Sequence, residues 1–316
     1  MEEIIRKLKE KSIGGDVFFR RGISTSVTFE ANRLKSIESS ESSGAGLRVI
    51  VDNKIGYASQ YGVYEADWLL EKAIATANID TGLKLPSGLK VQEESYNEAI
   101  DKLSVEDLTE LGKGMIESIL KSYPEVICNV EISKDKGETL IRNTEGVECL
   151  RRRASLGLGV HVNRIEGTDM LDIYEGDAVK ELDKLDKEKL LSKVFTALEA
   201  SKEIVKPSRT QIPVIFTPKA VYVLLLPIIS ALSGKTILMG ASPLQDKLDK
   251  KIFDEKFTFI DDPFDFDGLS GTSFDDEGLP TRILPLIESG VVKNFYFDLH
   301  TASLLNREPN GHGFRN

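Results

Sequence analysis

Long stretches of alternating side chains constrain the fold of this chain more than any other feature of its sequence. Near the N-terminus STSVTFEANRLKSIESS and AGLRVIVDNK alternate or carry β-branched residues, and ECLRRRASLGLGVHVN does the same in mid-chain. A period of two residues is typical of β-strands. Turn-forming residues separate the strands, as in DNK at residues 52–54 and NTEG at residues 143–146. The pattern predicts antiparallel hairpins.

Helical segments flank the predicted strands. The N-terminal MEEIIRKLKEKS reads as a charged amphipathic helix, and Ser104 with Asp107 gives a capping-box-like start to a helix over residues 104–122. Another helix is predicted over residues 183–204. Its expected inward face consists of Leu190, Leu191, Val194 and Leu198. The chain is therefore predicted to be an α+β protein with largely antiparallel twisted sheets, flanking helices and two to three subdomains.

The length of the chain indicates how these elements are divided. Its 316 residues are enough for two or three domains of roughly 100–200 residues each. A linker rich in Gly, Ser and Pro, DTGLKLPSGLKVQEESYN, follows the first group of strands. We expect an N-terminal α+β domain at residues 1–95, a middle α+β domain at residues 96–207 and the start of a C-terminal domain at residues 208–316.

The most apolar run of the chain is PKAVYVLLLPIISALSG, residues 218–234. It is shorter than the roughly 20 predominantly apolar residues that a membrane span needs. Thr217 is a good N-cap, Pro218 fits the first helical position, and Pro227 is expected to kink or divide the helix. Because both of its faces are apolar, we expect a core helix that is buried on all sides.

The acidic balance of the chain limits its partners. The formal net charge is −10 and the pI is about 5.1. Binding to nucleic acids or anionic membranes requires clustered Lys and Arg, so neither partner is expected. The one basic triplet, Arg151-Arg152-Arg153, is interpreted as a solvated strand or turn edge, and a local patch for a phosphate or a partner is the alternative.

Cysteine usage indicates a reducing compartment. Cys128 and Cys149 are too few for a disulfide scaffold and lack the paired spacing of a zinc ribbon. We expect buried or idle thiols in a reducing cytosol. The N-terminal helix has no apolar h-region or small-residue cleavage site, so no signal peptide is expected. The predicted location is the cytoplasm.

Local catalytic motifs are missing from the sequence. The three histidines, His161, His300 and His312, do not lie within a helical turn of one another, and no H-E-x-x-H occurs. Nor does a G-x-S-x-G elbow, a P-loop or a G-x-G-x-x-G. His161 is predicted to be a strand residue and His312 a loop residue.

An acidic segment at residues 260–280, IDDPFDFDGLSGTSFDDEGLP, offers oxygen ligands of the kind that hard cations prefer. Its carboxylates are those of Asp261, Asp262, Asp265, Asp267, Asp275, Asp276 and Glu277. The spacing does not match an EF-hand loop, and Asp, Gly and Pro are turn formers. Turns and caps are the main interpretation, and contact with a cation or a partner is the alternative.

Three ordered segments carry a resemblance to a known family. They are FEANRLKSIESSESSGAGLRVIVDNKIGYAS, IRNTEGVECLRRRASLGLGVHV, and SFDDEGLPTRILPLIESGVVKNFYFDLHTASLLN with GHGFRN. None is a strict motif alone, but the ordered set covers nearly the whole chain. It resembles the TldD/PmbA family, also called modulator-of-DNA-gyrase proteins. Members of that family usually continue well past the GHGFR point, so the chain is expected to be C-terminally short.

The resemblance implies a cytosolic, heterodimeric, zinc-dependent protease. One subunit type carries a His-Glu-x-x-x-His helix and a distant Cys, in which His and thiolate hold zinc and the Glu is the general base. In our register Leu226, Pro227 and Ala231 stand where His, Glu and His would be, and no histidine occurs between residues 162 and 299. The chain therefore resembles the PmbA-like, non-catalytic member, with zinc expected only in a catalytic partner.

The function that the resemblance implies is support of peptide proteolysis by a TldD-like, zinc-bearing partner, and enzyme activity of the chain itself is left open. An alternative is an autonomous homodimer that binds peptides or regulates another protein without protease activity. Another is an enzyme that uses a divalent cation at the acidic segment. The candidate contacts to substrate or partner are Arg142, Asn143, Glu145, Asp275, Asp276 and Glu277. Turn residues are the alternative interpretation of these six.

Overall fold

Eight strands of the protein form one sheet, in a computed structural model that describes residues 1–206, 210–264, 269 and 271–315. The strands are β1 (Gly14–Glu30), β2 (Arg33–Val51), β3 (Lys54–Tyr61), β4 (Ile79–Asp80), β5 (Lys90–Ser95), β6 (Ile127–Asn143), β7 (Glu148–Glu166) and β8 (Asp169–Val179). Their order is β4-β3-β2-β1-β6-β7-β5, and β8 also pairs with β7. All these pairings are antiparallel except that of β5 with β7.

Turns and helices follow the sequence signals. The predicted hairpin turn between β2 and β3 has Asp52 and Asn53 at φ of 49° and 61°, as a tight hairpin requires. The helices of this part are α1 (Glu2–Glu10), α2 (Ala66–Ala75), α3 (Glu98–Asp101), α4 (Val105–Ser122) and α5 (Lys187–Ala200). The capping box of α4 is formed, because Ser104 N donates to Asp107 Oδ2 at 2.8 Å and Asp107 N donates to Ser104 Oγ at 3.1 Å.

One face of the sheet, the helix-covered face, holds the apolar core. Residues that pair across antiparallel strands project to the same face, so the register defines which side chains share it. Val17 and Leu47 pack with α1 and α2. Further along the same face Val27, Ile132 and Leu158 pack with α4 and α5. The predicted inward residues of α5 are buried there, which confirms its orientation.

The remaining elements form a C-terminal unit, residues 217–315 as far as they are described, that lies against the opposite face of the sheet. They are α6 (Pro218–Ala231), α7 (Gly234–Leu238), β9 (Phe259–Asp261), β10 (Leu284–Glu288), β11 (Val291–Val292) and α8 (Leu299–Leu304). The opposite face carries Asp16, Arg48 and Arg151 and is called the charged face. Phe274 packs there against Ile141.

The observed architecture confirms the predicted α+β class with antiparallel sheets and flanking helices. The predicted domain boundary at residues 207 and 208 lies outside the described residues. The boundary at residues 95 and 96 stays a prediction.

Helix α6 corrects one prediction. Thr217 caps it and Pro218 opens it, as expected. The predicted burial on all sides is wrong, because Ala231 is its buried residue while Tyr222 and Val223 are 60% and 65% exposed. An apolar side chain is buried only where another segment covers it, and the end of α6 that carries Ala231 is the part that meets the core of the C-terminal unit. None of the helices in the described ranges is long and apolar enough to cross a membrane.

Candidate functional site

A buried charge network joins the charged face to the C-terminal unit. Arg48 on β2 donates from Nε to Asp16 Oδ2 at 2.5 Å and from Nη1 to Glu277 Oε1 at 2.6 Å. Arg315 donates from Nη2 to Asp16 Oδ1 at 2.5 Å. Arg48 is 3% exposed and Asp16 is fully buried. Two guanidinium groups therefore enclose one carboxylate, with water excluded.

Arg151 on β7 is a second anchor for the acidic segment. Its Nη2 donates to the Thr272 hydroxyl and to the Phe274 carbonyl, both at 2.5 Å, and its Nη1 lies 3.4 Å from Asp276 Oδ1. The guanidinium carbon also lies 4.4 Å from the centroid of the Phe274 ring, within the range of a cation–π contact. Arg151 thus binds the segment through its charge, its hydrogen bonds and its flat surface.

Asp275 is held in a setting that favours its neutral form. Its Oδ1 accepts from Glu277 N and Leu279 N at 3.0 and 2.9 Å, and its Oδ2 accepts from Gly313 N at 3.0 Å. Burial raises the pKa of Asp275 to about 7, since it outweighs these N–H donors and the charge of Glu277 adds to it. This carboxyl therefore titrates near neutrality.

Asp16 responds in the opposite sense. Burial by itself would raise the pKa of Asp16, but the positive charges of Arg315 and Arg48 and their hydrogen bonds outweigh burial and hold the pKa below its usual value. Asp16 is therefore ionised at neutral pH.

The predicted site residues of the mid-chain turn are engaged in the turn itself. Asn143 Oδ1 accepts from the N–H groups of Glu145 and Val147, both at 2.9 Å. Arg142 projects to the helix-covered face, where its Nη1 donates to Glu2 Oε1 at 2.7 Å. Their interpretation as turn residues is confirmed for Asn143 and Glu145. Contact of Arg142, Asn143 and Glu145 with a substrate or a partner stays a prediction.

The acidic candidates Asp275, Asp276 and Glu277 are all buried at the charged face. Their backbone forms a turn in which Gly278 N donates to the Asp275 carbonyl at 3.3 Å, as the turn interpretation predicts. Contact of these three with a substrate or a partner stays a prediction. Asp265 and Asp267 lie outside the described residues. Within the described ranges no group of three or more His, Cys, Asp or Glu side chains is placed to hold a metal ion.

Sequence reasoning missed the residues that the sheet contributes to these contacts, and Arg315 at the end of the C-terminal unit. The missed sheet residues are Asp16, Arg48, Arg151 and Glu93, whose Oε2 accepts from Ser273 N at 2.7 Å. A signal was present in GLRVIV, where the alternation that buries Leu47 and Val49 on one face turns Arg48 to the other. The arginine triplet was expected at a solvated edge. That holds for Arg152, but it is wrong for Arg151, which the acidic segment covers.

Beyond the network the charged face forms an open polar channel with a floor of small residues. The floor residues are Ser24, Ser133, Gly137, Ser155, Gly157 and Gly159. Adjacent cavities of about 660 and 1000 Å³ lie along it. A Cβ atom at Gly157 would lie 2.8 Å from Ser133 Oγ, so glycine keeps this floor shallow. Arg20 and Asp135 line the first cavity without an ion pair to any described residue.

An edge of the sheet beside this channel is unpaired. Strand β3 pairs with β2 at residues 44–51, and β1 pairs with the other side of β2 along its length. The outer edge of residues 33–42 therefore meets no further strand in the described part of the chain. Such an edge presents free backbone N–H and C=O groups to which an extended peptide can pair.

The histidines lie on separate elements. His161 is on β7, as predicted, and its Nε2 lies 2.5 Å from Asp172 Oδ1. His300 is on α8, and His312 is a buried loop residue. Cys128 and Cys149 are buried free thiols, and burial raises the pKa of each to about 11, so both are poor nucleophiles.

Helix α6 supplies no zinc donor at the positions that the resemblance singles out. Leu226, Pro227 and Ala231 have hydrocarbon side chains, which neither bind a metal nor accept a proton. The residues present in this helix therefore do not fit a zinc ion.

Comparison with known proteins agrees with the fold and the ordered segments. Models of the PmbA/TldA metallopeptidase family match domain 1 at residues 15–77, the central domain at residues 98–206 and the C-terminal domain at residues 209–316. The crystal structure of TldE from Thermococcus kodakarensis is 23% identical with a TM-score of 0.88, and the match covers 100% of this chain and 74% of that chain.

Curated relatives show the same pattern. A Haemophilus influenzae protein named metalloprotease PmbA homolog is 24% identical, and the match covers 91% of this chain and 66% of the relative. The zinc metalloprotease TldD homolog of Saccharolobus solfataricus is 23% identical, with 98% and 71% covered. The three family models together span most of the chain, and the chain belongs to the PmbA/TldD family of metallopeptidase-related proteins.

Proposed function

We propose that this chain is a non-catalytic, PmbA-like subunit of a cytoplasmic metalloprotease complex. It binds peptide and supports hydrolysis by a zinc-bearing, TldD-like partner, and it binds no zinc itself. The observation that carries the proposal is the set of hydrocarbon side chains at Leu226, Pro227 and Ala231. They stand in a chain that matches the family models at residues 15–77, 98–206 and 209–316.

The absence of donors at α6 matters because hydrolysis in this family depends on a metal and a general base. Zinc needs three protein ligands from His, Cys or carboxylate, and the bound water needs a proton acceptor. The described residues gather no such group elsewhere. In the proposed complex a related subunit contributes the reacting groups.

The peptide-binding part of the proposal rests on the charged face. The polar channel is open, and the unpaired edge of β2 at residues 33–42 lies on the same sheet. An extended peptide can pair with that edge through its backbone, which gives affinity without strong sequence preference. The net charge of −10 gives no electrostatic support for nucleic acid as a ligand.

The proposal is tested by reconstitution with a zinc-bearing family member. We expect the two purified chains to form a complex by native mass spectrometry and to hydrolyse an unstructured peptide in a chelator-sensitive way. The chain alone should hydrolyse none and contain no stoichiometric zinc by elemental mass spectrometry. As a matched control, a partner in which the first zinc-motif His is changed to Ala should still assemble but be inactive.

Two outcomes would overturn the proposal. Chelator-sensitive hydrolysis by the chain alone would show that it is catalytic. A stable homodimer that ignores the zinc-bearing partner would favour the autonomous peptide-binding or regulatory protein instead.

A further inference from the structure

A cavity of about 770 Å³ lies between the C-terminal unit and strands β2 and β3. Arg48 stands between this cavity and the polar channel with its floor of small residues. Its polar wall includes Arg48, Tyr57, Lys235, His300 and Arg315. The volume lies within the range of small-molecule and peptide-terminus sites. What the cavity is built to bind follows from which of its polar groups already have partners.

The carboxylates that line the cavity, Glu277 and Asp298, already accept hydrogen bonds, as does Asp16 beneath Arg48. Asp298 Oδ1 accepts from Thr301 N at 2.6 Å and from Thr301 Oγ1 at 2.9 Å, at the start of α8. Both oxygens of Asp16 accept from arginines, one from Arg48 and one from Arg315. Glu277 accepts from Arg48 at Oε1 and from Leu299 N, at 2.6 Å, at Oε2. Asp16 and Glu277 are therefore already paired with arginines, and Asp298 caps α8.

The unsatisfied polar groups lie on three elements. Arg48, which is 3% exposed, has no partner for Nη2 at full hydrogen-bond geometry, although its cross-strand neighbour Tyr57 lies close to the guanidinium. His300 Nδ1 is also buried without a partner. Lys235 at the start of α7 is exposed and makes no ion pair or hydrogen bond through its side chain with any residue in the described ranges. An unmet buried donor is costly, so the unpaired guanidinium nitrogen of Arg48 favours an acceptor in this cavity, while the role of His300 Nδ1 depends on its tautomer.

We propose that this cavity binds the C-terminal carboxylate of a peptide. A carboxylate is a planar acceptor with about four lone-pair sites, and hydrogen bonds to it from guanidinium and ammonium groups are the strong, charge-assisted kind. Lys235 is exposed and would make the first contact, and the buried Arg48 would make the next. Burial raises the pKa of Tyr57 and the charge and hydrogen bonding of the neighbouring Arg48 oppose this, so the entering carboxylate would replace the Tyr57 hydroxyl beside Arg48. Tyr57 is 46% exposed and has room to turn aside.

The rest of the wall distinguishes a peptide end from a small anion. Leu238, Met239 and Phe314 line the cavity, and Met239 is 70% exposed. A lone acetate or phosphate would leave this apolar surface uncovered, whereas the last side chain of a peptide would cover it. The inference rests on the proposed function, because it names the part of the peptide that the subunit recognises.

The test uses the purified full chain without any partner. The probe is a fluorescein-labelled pentapeptide of four alanines and a C-terminal leucine, with a free carboxylate in one arm and an amide in the other. A third arm has an amide end and an internal glutamate. We expect the free acid to bind at least tenfold more tightly than either amide by fluorescence polarisation, and excess acetate or inorganic phosphate to compete weakly.

Variants locate the binding. Lys235→Met should reduce the affinity for the free acid to that for the amide, while Lys250→Met, an exposed lysine elsewhere in the C-terminal unit, should change nothing. Both residues are on the surface, so both variants are expected to fold. Equal binding of acid and amide would overturn the inference and leave peptide capture standing. Loss of affinity in both variants, or in neither, would overturn the assignment to this cavity. Failure of the reconstitution would remove the proposed function without altering this measurement.

Discussion

The two faces of β1 are buried by opposite kinds of chemistry within one residue of each other. Val17 is fully buried against the apolar side chains of α1 and α2 on the helix-covered face. Asp16 is fully buried between Arg48 and Arg315 on the charged face. The two side chains alternate as neighbours on a strand must. The chain uses the same strand to build a core and to dock a second unit.

The difference teaches what each contact can specify. Apolar burial is proportional to area and tolerates small shifts of the packed elements. A buried carboxylate is tolerated only when its partners lie within hydrogen-bonding distance, so it penalises every other placement. The helices can therefore be held by their fit, whereas the orientation of the C-terminal unit depends on a few charge pairs around Arg48.

Replacement of Arg48 should have the largest effect on the free energy of unfolding, because Arg48 joins the charged face to the C-terminal unit. Arg48→Met would leave the buried side chains of Asp16 and Glu277 without their shared partner, and we expect a loss of about 3–5 kcal/mol in the free energy of unfolding. Urea denaturation followed by circular dichroism measures it. Arg21→Met is the matched control, because Arg21 is an exposed arginine paired with Glu41, and it should cost less than about 1 kcal/mol. Equal effects in the two variants would contradict a structural role for the network.

The same comparison explains how much the sequence could predict. The alternation that buries Val27, Ile132 and Leu158 has the period of a strand, so the fold class could be predicted. The inward face of α5 could be predicted from the helical spacing of its apolar residues. The charge network could not, because Asp16 and Glu277 are 261 positions apart in the sequence. Nothing local indicates that such residues meet.

The predicted burial of helix α6 was wrong for a related reason. Its hydropathy predicts what Tyr222 and Val223 would gain by burial, but burial also requires a covering segment, and hydropathy carries no information about that. The acidic segment shows the reverse case. Its turn residues were predicted correctly, yet the burial of Asp275 and Glu277 depends on the sheet beneath them.

The titration of Asp275 sharpens the comparison, because a carboxyl buried in the charged interface makes stability depend on pH near neutrality. Its folded pKa of about 7 lies above the ordinary 3.8, so the folded state binds the proton more tightly. The resulting stabilisation is fully present below the unfolded pKa and is lost as the pH rises through 7. Between pH 5 and 8 we expect the parent to lose about 2–3 kcal/mol, and Asp275→Asn to lose little. Urea midpoints at both pH values measure the difference.

The pH window isolates this residue from others in the network. The pKa values of Asp16 and Glu93 are lowered, so their contributions are lost only as the pH falls below about 4. Asp246→Asn, an exposed control, should leave the slope of the parent unchanged. A variant at Asp275 that loses as much stability as the parent between pH 5 and 8 would mean that another group titrates there.

The smallest expected effect comes from the apolar face of α6. It tests whether a leucine stabilises the fold through its hydropathy alone or only where another segment covers it. Leu198 in α5 is fully buried and Leu224 in α6 is 48% exposed. Both are helical leucines, so Leu→Ala removes the same atoms from the same backbone conformation. We expect about 2–4 kcal/mol for Leu198→Ala and less than about 1 kcal/mol for Leu224→Ala, by urea denaturation of the chain alone. Costs of similar size would mean that another copy or another segment covers α6 in solution, so that Leu224 is buried there. A clear difference would show that α6 carries apolar side chains that no segment in the described part of the chain covers.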